Sequence, residues 1–307
     1  MNVLPAAAEL PGAPRRVCAA IGVFDGVHLG HQQVIRQTIA DASHQEAVSV
    51  VVTFDRHPNT VVAPHAVPPA IYSLEQKLSA IASLGTDATL VIRFDEAFSK
   101  RTAESFIEEL RQGFGVLRSL CVGREFTFGH RRQGNVALLE RIGSENNFQV
   151  HGLAAVALDG QVVSSTRIRE RIQAGDLDAA SQMLGRDYEI VGPVLAGDRL
   201  GRTLGFPTAN LNIHGLVTPP NGVYAVHAQL HGKLLRGVAN LGSRPTLGTD
   251  TPRLQLEVHL LEFNEEIYGE KLSVQFVQHL RAEKKFASLD ALRHQIASDV
   301  VAAKRCF

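Results

Sequence analysis

Along the first half of the chain, short apolar runs alternate with longer segments whose apolar residues recur every three or four positions. "VCAAIGVF" (17–24), "AVSVVVTF" (47–54), "ATLVIRF" (88–94) and "LRSLCVG" (117–123) are continuous runs of strand length. "HQQVIRQTIADAS" (31–43), "SLEQKLSAIASLG" (73–85) and "RTAESFIEELRQGFG" (101–115) carry the helical spacing. Val-rich strands separated by helices predict a parallel sheet covered on both faces. "TRIRERIQAGDLDAASQMLG" (166–185) predicts two short helices split by Gly175. From about residue 188 the pattern changes. "YEIVGPVLAG", "GVYAVHAQLHG", "KLLRGVANLG", "LQLEVHLLEF" and "KLSVQFVQHL" are strand-length segments with Gly, Pro and Asn turns and no helices between them. They predict an antiparallel barrel or sandwich. "SLDALRHQIASDVVAAKR" (288–305) has a Ser288 cap and helical spacing, which predicts a terminal helix. The boundary between the two halves falls near 185–188.

Length agrees with that division, since 307 residues suffice for two domains. Lys and Arg number 31, as do Asp and Glu, so the net charge is near zero. A basic excess pointing to nucleic acid or an anionic membrane is absent, and no apolar run approaches the ~18 residues of a membrane helix. The opening residues lack the continuous apolar core of a signal peptide. The wide spacing of Cys18, Cys121 and Cys306 fits neither a zinc site nor a disulfide framework, so they read as reduced thiols of a cytoplasmic protein.

The chemistry is concentrated in a few segments. In an open parallel sheet, ligands bind beyond the carboxyl ends of strands. "GVFDGVHLGH" (22–31) stands at such an end. Gly22, Gly26 and Gly30 permit a tight turn and close backbone approach. The helix beginning near His31 offers free N–H groups and a partial positive charge. His28 and His31 can donate hydrogen bonds to phosphate oxygens there. In "VVSSTRIRERI" (162–172), Ser165 and Thr166 are helix caps, with Arg167 and Arg169 in the first turn. A cationic first turn opposes the helix dipole, and an anionic ligand would remove the conflict. The second half contains no G-x-x-x-x-G-K-[ST], which excludes a P-loop kinase. Its "GDRLGRTLGFPTANL" (197–211) is a Gly-rich entrance or barrel rim holding Gly201, Gly205 and the rigid Pro207. Thr208 and Asn210 supply neutral oxygens that suit Mg²⁺ held mainly by ATP phosphates and water. Glu257 is a general base for a hydroxyl if its side chain enters a pocket, and a solvated strand position if it does not.

"GVFDGVHLGH", "TFDRHP", "VGREFTFGHRRQGN" and "SSTRIRERI", in that order, resemble the adenylyltransferase half of bifunctional riboflavin kinase/FAD synthetases, members of the HxGH nucleotidyltransferases. "GRTLGFPTANL", "GVYAV", "GVANLGSRPTL", "LEVHLLEF", "YGEKLSVQFVQHLR" and "EKKFASLDAL" are similar to their riboflavin kinase half. The resemblance implies a Rossmann-like HxGH domain over 1–186, then a Greek-key antiparallel β-barrel with a C-terminal helix over 187–307. It implies riboflavin, FMN and ATP as small-molecule substrates, with Mg²⁺. The barrel would move the γ-phosphate of ATP to riboflavin. FMN would then attack the α-phosphate of a second ATP, releasing pyrophosphate.

By the same resemblance, His28 and His31 contact the ATP phosphates, and Ser165, Thr166 and Arg169 form a second phosphate motif. Gly22, Phe24, Asp25, Gly26, Gly30, His57 and Pro58 line the nucleotide site, and the segment Phe126–Arg132, with Phe126 and Phe128, lies near the flavin. In the kinase half, Gly201, Gly205 and Pro207 frame the ATP and riboflavin site, Thr208 and Asn210 hold Mg²⁺ and ATP, and Glu257 is the catalytic base. The chain departs from the family pattern at Arg56, Glu125 and Ser243, where Pro, Asp or Asn, and Thr are common. Three other readings compete: an adenylyltransferase for another phosphorylated substrate, a class I aminoacyl-tRNA synthetase, and a non-catalytic flavin-binding module. The first leaves the second half without a purpose. The second needs a basic surface and a lysine signal that the sequence lacks.

Overall fold

The computed structural model describes residues 1–11, 15–197, 200–244 and 253–307. Residues 198–199 of the Gly-rich entrance and the part of "GVANLGSRPTL" from 245 onward lie outside the described residues. The chain divides into two compact units. One comprises Met1–Ile168 with Met183–Gly185, the other Arg169–Gln182 with Arg186–Phe307.

In the first unit, strands β1 (Asn2–Leu4), β2 (Arg16–Ile21), β3 (Val48–Phe54), β4 (Ala88–Ile92), β5 (Val116–Gly123) and β6 (Gln149–Leu153) form one sheet in the order β1-β4-β3-β2-β5-β6. Every neighbouring pair is parallel. Between the strands run α1 (Leu29–His44), α2 (Asn59–Val62), α3 (Leu74–Ala82), α4 (Glu96–Ser99), α5 (Ala103–Phe114) and α6 (Val136–Asn146). A two-stranded hairpin, β7 (Ala157–Leu158) and β8 (Gln161–Val162), precedes α7 (Ser165–Gln173), which passes from the first unit to the second after Ile168, and α8 (Leu177–Leu184), which belongs to the second unit as far as Gln182. The strand runs are apolar throughout because both faces are covered. Val17, Ala19, Ile21 and Val50 pack with Phe106, Ile107 and Leu110 of α5 on one face. Ala20, Val51 and Cys121 pack with Val34 and Ile35 of α1 and Ile81 of α3 on the other. The chain leaves β2 toward β3 on one side and reaches β5 and β6 on the other, so the sheet reverses its winding between β2 and β5. The segment after β2 sits at that switch point, where α/β sheets bind ligands.

β2 ends at Ile21, three residues short of the sequence expectation, because Phe24 adopts a left-handed conformation (φ 52°) that no strand continues through. The N-terminal strand β1 and the sixth strand β6 were not expected from the sequence. Both are short or half-exposed, without a continuous apolar run.

In the second unit, β9 (Glu189–Leu195), β10 (Ala209–Leu211), β11 (Gly222–Leu230), β12 (Lys233–Arg244), β13 (Arg253–Leu260) and β14 (Lys271–Arg281) close into a barrel, β10-β13-β12-β11-β14-β9. The choice between barrel and sandwich is thereby resolved. Three hairpin-connected strands, β11, β12 and β13, with β14 returning beside β11, make a Greek key. A four-residue helix, α9 (Leu200–Thr203), interrupts the expected run of strands within the Gly-rich entrance. The terminal helix α10 (Leu289–Lys304) is capped by Ser288, whose hydroxyl accepts from the Ala291 N–H at 3.2 Å. The barrel interior is filled: Ala239, Leu241, Leu256 and Val258 are fully buried. The opposite faces of β11 and β12 bury Val223, Ala225 and Val238 against Ala303 of α10. The helix thus covers an outer wall of the barrel.

Candidate active sites

The loop after β2 is built by three residues at positive φ: Phe24 (52°), Gly26 (77°) and Val27 (42°). Gly22 is required for a different reason. A Cβ there would stand 2.9 Å from the Phe24 ring, which folds back over it. The Phe24 ring is buried and meets His31 edge-on, 5.3 Å between centroids. Phe24 therefore shapes the loop from beneath. Asp25 is buried too, its carboxylate accepting from the N–H groups of Ile71 (3.0 Å) and Tyr72 (3.3 Å).

Helix α1 starts at Leu29, earlier than the sequence expectation, because His28 is its N-cap. The His28 Nδ1 accepts from the His31 backbone N–H at 3.4 Å. That assignment places the proton of the neutral ring on Nε2, so His28 presents a donor. The two imidazoles stack at 3.6 Å with 20° between their planes. Gly30 lies under the His28 ring, where a Cβ would come within 3.3 Å of it. One helix N-terminus thus carries two parallel imidazoles beside its own N–H groups, an arrangement suited to a phosphate chain.

The second phosphate motif meets this loop through Ser165, whose hydroxyl donates to the Asp25 carbonyl at 3.0 Å across 140 residues of sequence. Ser165 and Thr166 are not the caps of α7. Ser164 is: its Oγ accepts from the Arg167 N–H at 3.2 Å, and its carbonyl from the Ile168 N–H. A capping hydroxyl accepts from the N–H two or three residues on; Ser164 does so, whereas the Ser165 hydroxyl is turned to Asp25. Arg167 turns toward the β7–β8 hairpin, donating to the carbonyls of Leu158 and Gln161. Arg169 follows one turn after Ser165, and the division between the two units falls just before it.

After β3, the His57 Nδ1 accepts from the Asn59 N–H at 3.1 Å, and Pro58 opens α2. Burial alone would raise the Asp55 carboxyl. Hydrogen bonds from Arg56 and the Phe94 N–H outweigh it and hold the group below the usual carboxylate range. Arg56 thus serves this carboxylate. Phe126 and Phe128 stack face to face, 5.3 Å between centroids and 12° between planes. Behind them runs a chain of edge-on rings through Phe106 and Phe98 to Phe94 and Phe54. Phe94 and Phe98 were not singled out in the sequence.

In the barrel, Asn210 of β10, Glu257 of β13 and Asn240 of β12 are register partners side by side across three strands. Directly opposed residues of antiparallel strands share a face, and here it is the outer one. Two cavities meet at this row. The first, about 430 Å³, is lined by Gly197, Pro207, Thr208, Asn210 and the loop Phe263–Tyr268. The second, about 330 Å³, is lined by Phe206, Thr208, Asn240, Glu257, His259 and, from α10, Leu292, Ile296 and Asp299. Thr208 borders both.

Asn210 is only 7% exposed, and its Oδ1 accepts from the Gln255 Nε2 at 2.9 Å. A side chain on Gly197 would collide with its amide. The Pro207 carbonyl pairs with the His259 Nδ1 at 2.8 Å, which ties the loop bearing Thr208 to β13. Gly205 takes φ 90° in the turn before it, and the Gly201 carbonyl accepts from the Phe206 N–H at 2.8 Å. No group of three or more His, Cys, Asp or Glu able to hold a metal occurs among the described residues. A metal here would depend on the oxygens of Thr208 and Asn210 together with those of its ligand. Such a set fits Mg²⁺ arriving with a nucleotide and does not fit a resident transition metal. Asn240 and His259 were not singled out in the sequence. The two-residue period of β13 puts His259 on the Glu257 face, whereas Asn240 is placed there only by the pairing of β12 with β13.

Comparison with known proteins agrees with both halves. The FAD synthetase family profile matches residues 11–167, and the riboflavin kinase profile matches residues 184–307. The bifunctional riboflavin kinase/FMN adenylyltransferase of Haemophilus influenzae is 40% identical over 292 residues, covering 94% of each chain. That of Escherichia coli is 37% identical over 309 residues, covering 100% of this chain and 98% of the other. A solved structure from Streptococcus pneumoniae, described as a macrolide-efflux protein, superposes with a TM-score of 0.81 at 27% identity and 98% coverage of both chains. Among the described residues no helix is long and apolar enough to cross a membrane. Two family profiles in sequence and relatives matched along their whole length place this chain in the bifunctional riboflavin kinase/FMN adenylyltransferase family.

Proposed function

We propose that residues 187–307 phosphorylate riboflavin with ATP to give FMN and ADP, and that residues 1–186 join FMN to the AMP moiety of a second ATP, giving FAD and pyrophosphate. The observation that carries the kinase reading is the seam at Thr208, Asn210 and Glu257, where two cavities meet. The cavity bordered by Asn210 takes the nucleotide, and the cavity walled by α10 takes the flavin. A terminal ribityl hydroxyl beside Glu257 loses its proton to the carboxylate as its oxygen attacks the γ-phosphorus, and ADP leaves. Thr208 and Asn210 would hold the Mg²⁺ of the nucleotide, which would supply charge neutralisation on the phosphates. Gly201, Gly205 and Pro207 set the loop that presents them.

In the first unit, an FMN phosphate oxygen attacks the α-phosphorus and pyrophosphate departs. His28 donates from Nε2, with His31 stacked beside it and the α1 N-terminus behind. Charge developing on the phosphates meets donors already in place. Ser165 and Thr166 supply the second set of phosphate contacts, and Arg169 follows on the same helix, α7. The stacked pair Phe126 and Phe128 offers an apolar ledge for a flavin ring. ATP supply and the free, buried thiols of Cys18 and Cys121 support a cytoplasmic setting.

The test is one incubation of the purified protein with riboflavin, Mg²⁺ and ATP, followed by chromatography of the flavins. FMN appearing first and FAD after it is the expected result. FMN without FAD would remove the adenylyl-transfer assignment. Untouched riboflavin, with supplied FMN also untouched, would remove both.

A further inference from the structure

A buried ammonium lies beneath the first site. Lys77 sits on the core-facing side of α3 and is 7% exposed. Its Nζ donates to the Phe54 carbonyl at 2.7 Å and to the Val23 carbonyl at 3.2 Å. Phe54 ends β3, and Val23 lies two residues past the end of the neighbouring β2. Val23 leads directly into Phe24–His31, and Phe54 into Asp55–Pro58. The Gly22 N–H extends the pairing of the two ends by donating to the Val52 carbonyl at 3.1 Å, and the Thr53 hydroxyl also reaches the Val23 carbonyl at 3.0 Å. Asp25, on the same turn, accepts the N–H groups of Ile71 and Tyr72, just before the capping box of Ser73 and Gln76 that starts α3. One ammonium therefore ties together the roots of both loops proposed to handle the nucleotide.

Burial opposes this charge. It lowers the Lys77 pKa to about 8 against the pull of Asp25 and Asp55, so the group still carries its proton at neutral pH. A buried ion contributes little net stability, which directs attention to its placement. We propose that Lys77 is a positioning residue for adenylyl transfer. It fixes the spacing of the Val23 and Phe54 carbonyls and so holds the His28–His31 loop in register with the His57–Pro58 segment. The inference rests on the adenylyl-transfer reading above.

The test uses the full chain with Lys77→Met and, because methionine strips a donor from two carbonyls, also Lys77→Gln, whose amide keeps N–H donors without the charge. Adenylylation of supplied FMN is measured for kcat and for KM of ATP, with riboflavin phosphorylation by the same molecules as reference and thermal melting alongside. Misplaced reacting groups cost rate, so kcat is expected to fall roughly 10- to 100-fold in Lys77→Met. The fall in Lys77→Gln should be smaller, with KM for ATP and phosphorylation near wild type in both. Lys77→Met keeping kcat within about twofold of wild type while folded would overturn the proposal, as would a loss confined to KM. Variants that melt below the assay temperature and regain full kcat on cooling would show a structural role only, and overturn it as well. Wild-type protein making no FAD would instead remove the adenylyl-transfer reading itself, a result visible before any variant is compared.

Discussion

Asp299 of α10 takes both its carboxylate oxygens to Arg281 at the end of β14, Nε to Oδ1 at 2.8 Å and Nη2 to Oδ2 at 2.7 Å, and accepts from the Gln295 Nε2 at 2.9 Å. The Arg281 and Asp299 side chains are 16% and 6% exposed, so water screens this pair little. Asp299→Ala leaves a guanidinium buried without its counter-charge, which costs about 3 kcal/mol, the low end for breaking such a pair because Arg281 also donates to the Ala282 carbonyl. For a barrel of ~120 residues the unfolding entropy is roughly 0.25 kcal/mol/K, so the barrel transition should fall by about 12 °C. Arg281 and Asp299 both line the cavity assigned to the flavin. The KM for riboflavin should therefore rise while FAD formation from supplied FMN is untouched. The decisive assay is a double-mutant cycle by calorimetry. Arg281→Met with Asp299→Ala removes both charges, so the double variant should be more stable than the sum of the two single losses allows, by about 1 kcal/mol or more. Strict additivity, or an Asp299→Ala transition within about 2 °C of wild type, would refute the reasoning.

Asn210→Ala and Glu257→Gln should each abolish FMN formation and spare FAD formation from supplied FMN; joint loss of both activities would break the assignment of one reaction to each half. His28→Ala should slow adenylyl transfer by roughly 10²- to 10³-fold, the usual cost of a lost transition-state donor, with riboflavin phosphorylation unchanged; unaltered FAD output would remove His28 from the mechanism. The pKa of Lys77 is depressed, so the unfolded chain binds the extra proton between about pH 8 and its ordinary 10.5. Stability should therefore rise across that window by about 3 kcal/mol more in wild type than in Lys77→Met. Denaturant titrations at the two ends that give equal gains for both proteins would contradict the burial of the ammonium.

The long elements were legible because their periods were unambiguous. Apolar β3 and the spaced helix α5, with its Thr102 cap, left no competing pattern. What escaped notice was short or set by tertiary contacts. Three-residue β10 is too brief to show alternation, yet it closes the barrel and carries Asn210. Choosing between Ser164 and Ser165 as the α7 cap required the hydrogen bonds themselves, since a Ser-Ser-Thr run offers three candidates and the fold uses one. The two histidines were readable from their setting between strand and helix. Lys77 was not, because a lysine in a helix is ordinarily solvated. Its signal was its place in the apolar stripe of Leu74, Leu78 and Ile81, one turn inside a capped helix. Asn240 and His259 became visible only once β12 and β13 were in register with Glu257.

The two-residue period of β13 has a consequence for how the barrel must be made. Leu256, Val258 and Leu260 face the filled interior, and Gln255, Glu257 and His259 stand on the opposite, outer face. A shift of a single residue between β13 and its neighbours would exchange the two sets, driving a carboxylate into a dry core and leaving an apolar side chain where the proposed base stands. No partly correct pairing of these strands can phosphorylate a substrate. Turnover in the second half is therefore a direct reporter of strand registration, and regain of FMN synthesis during refolding would time the moment that β10, β13 and β12 lock together.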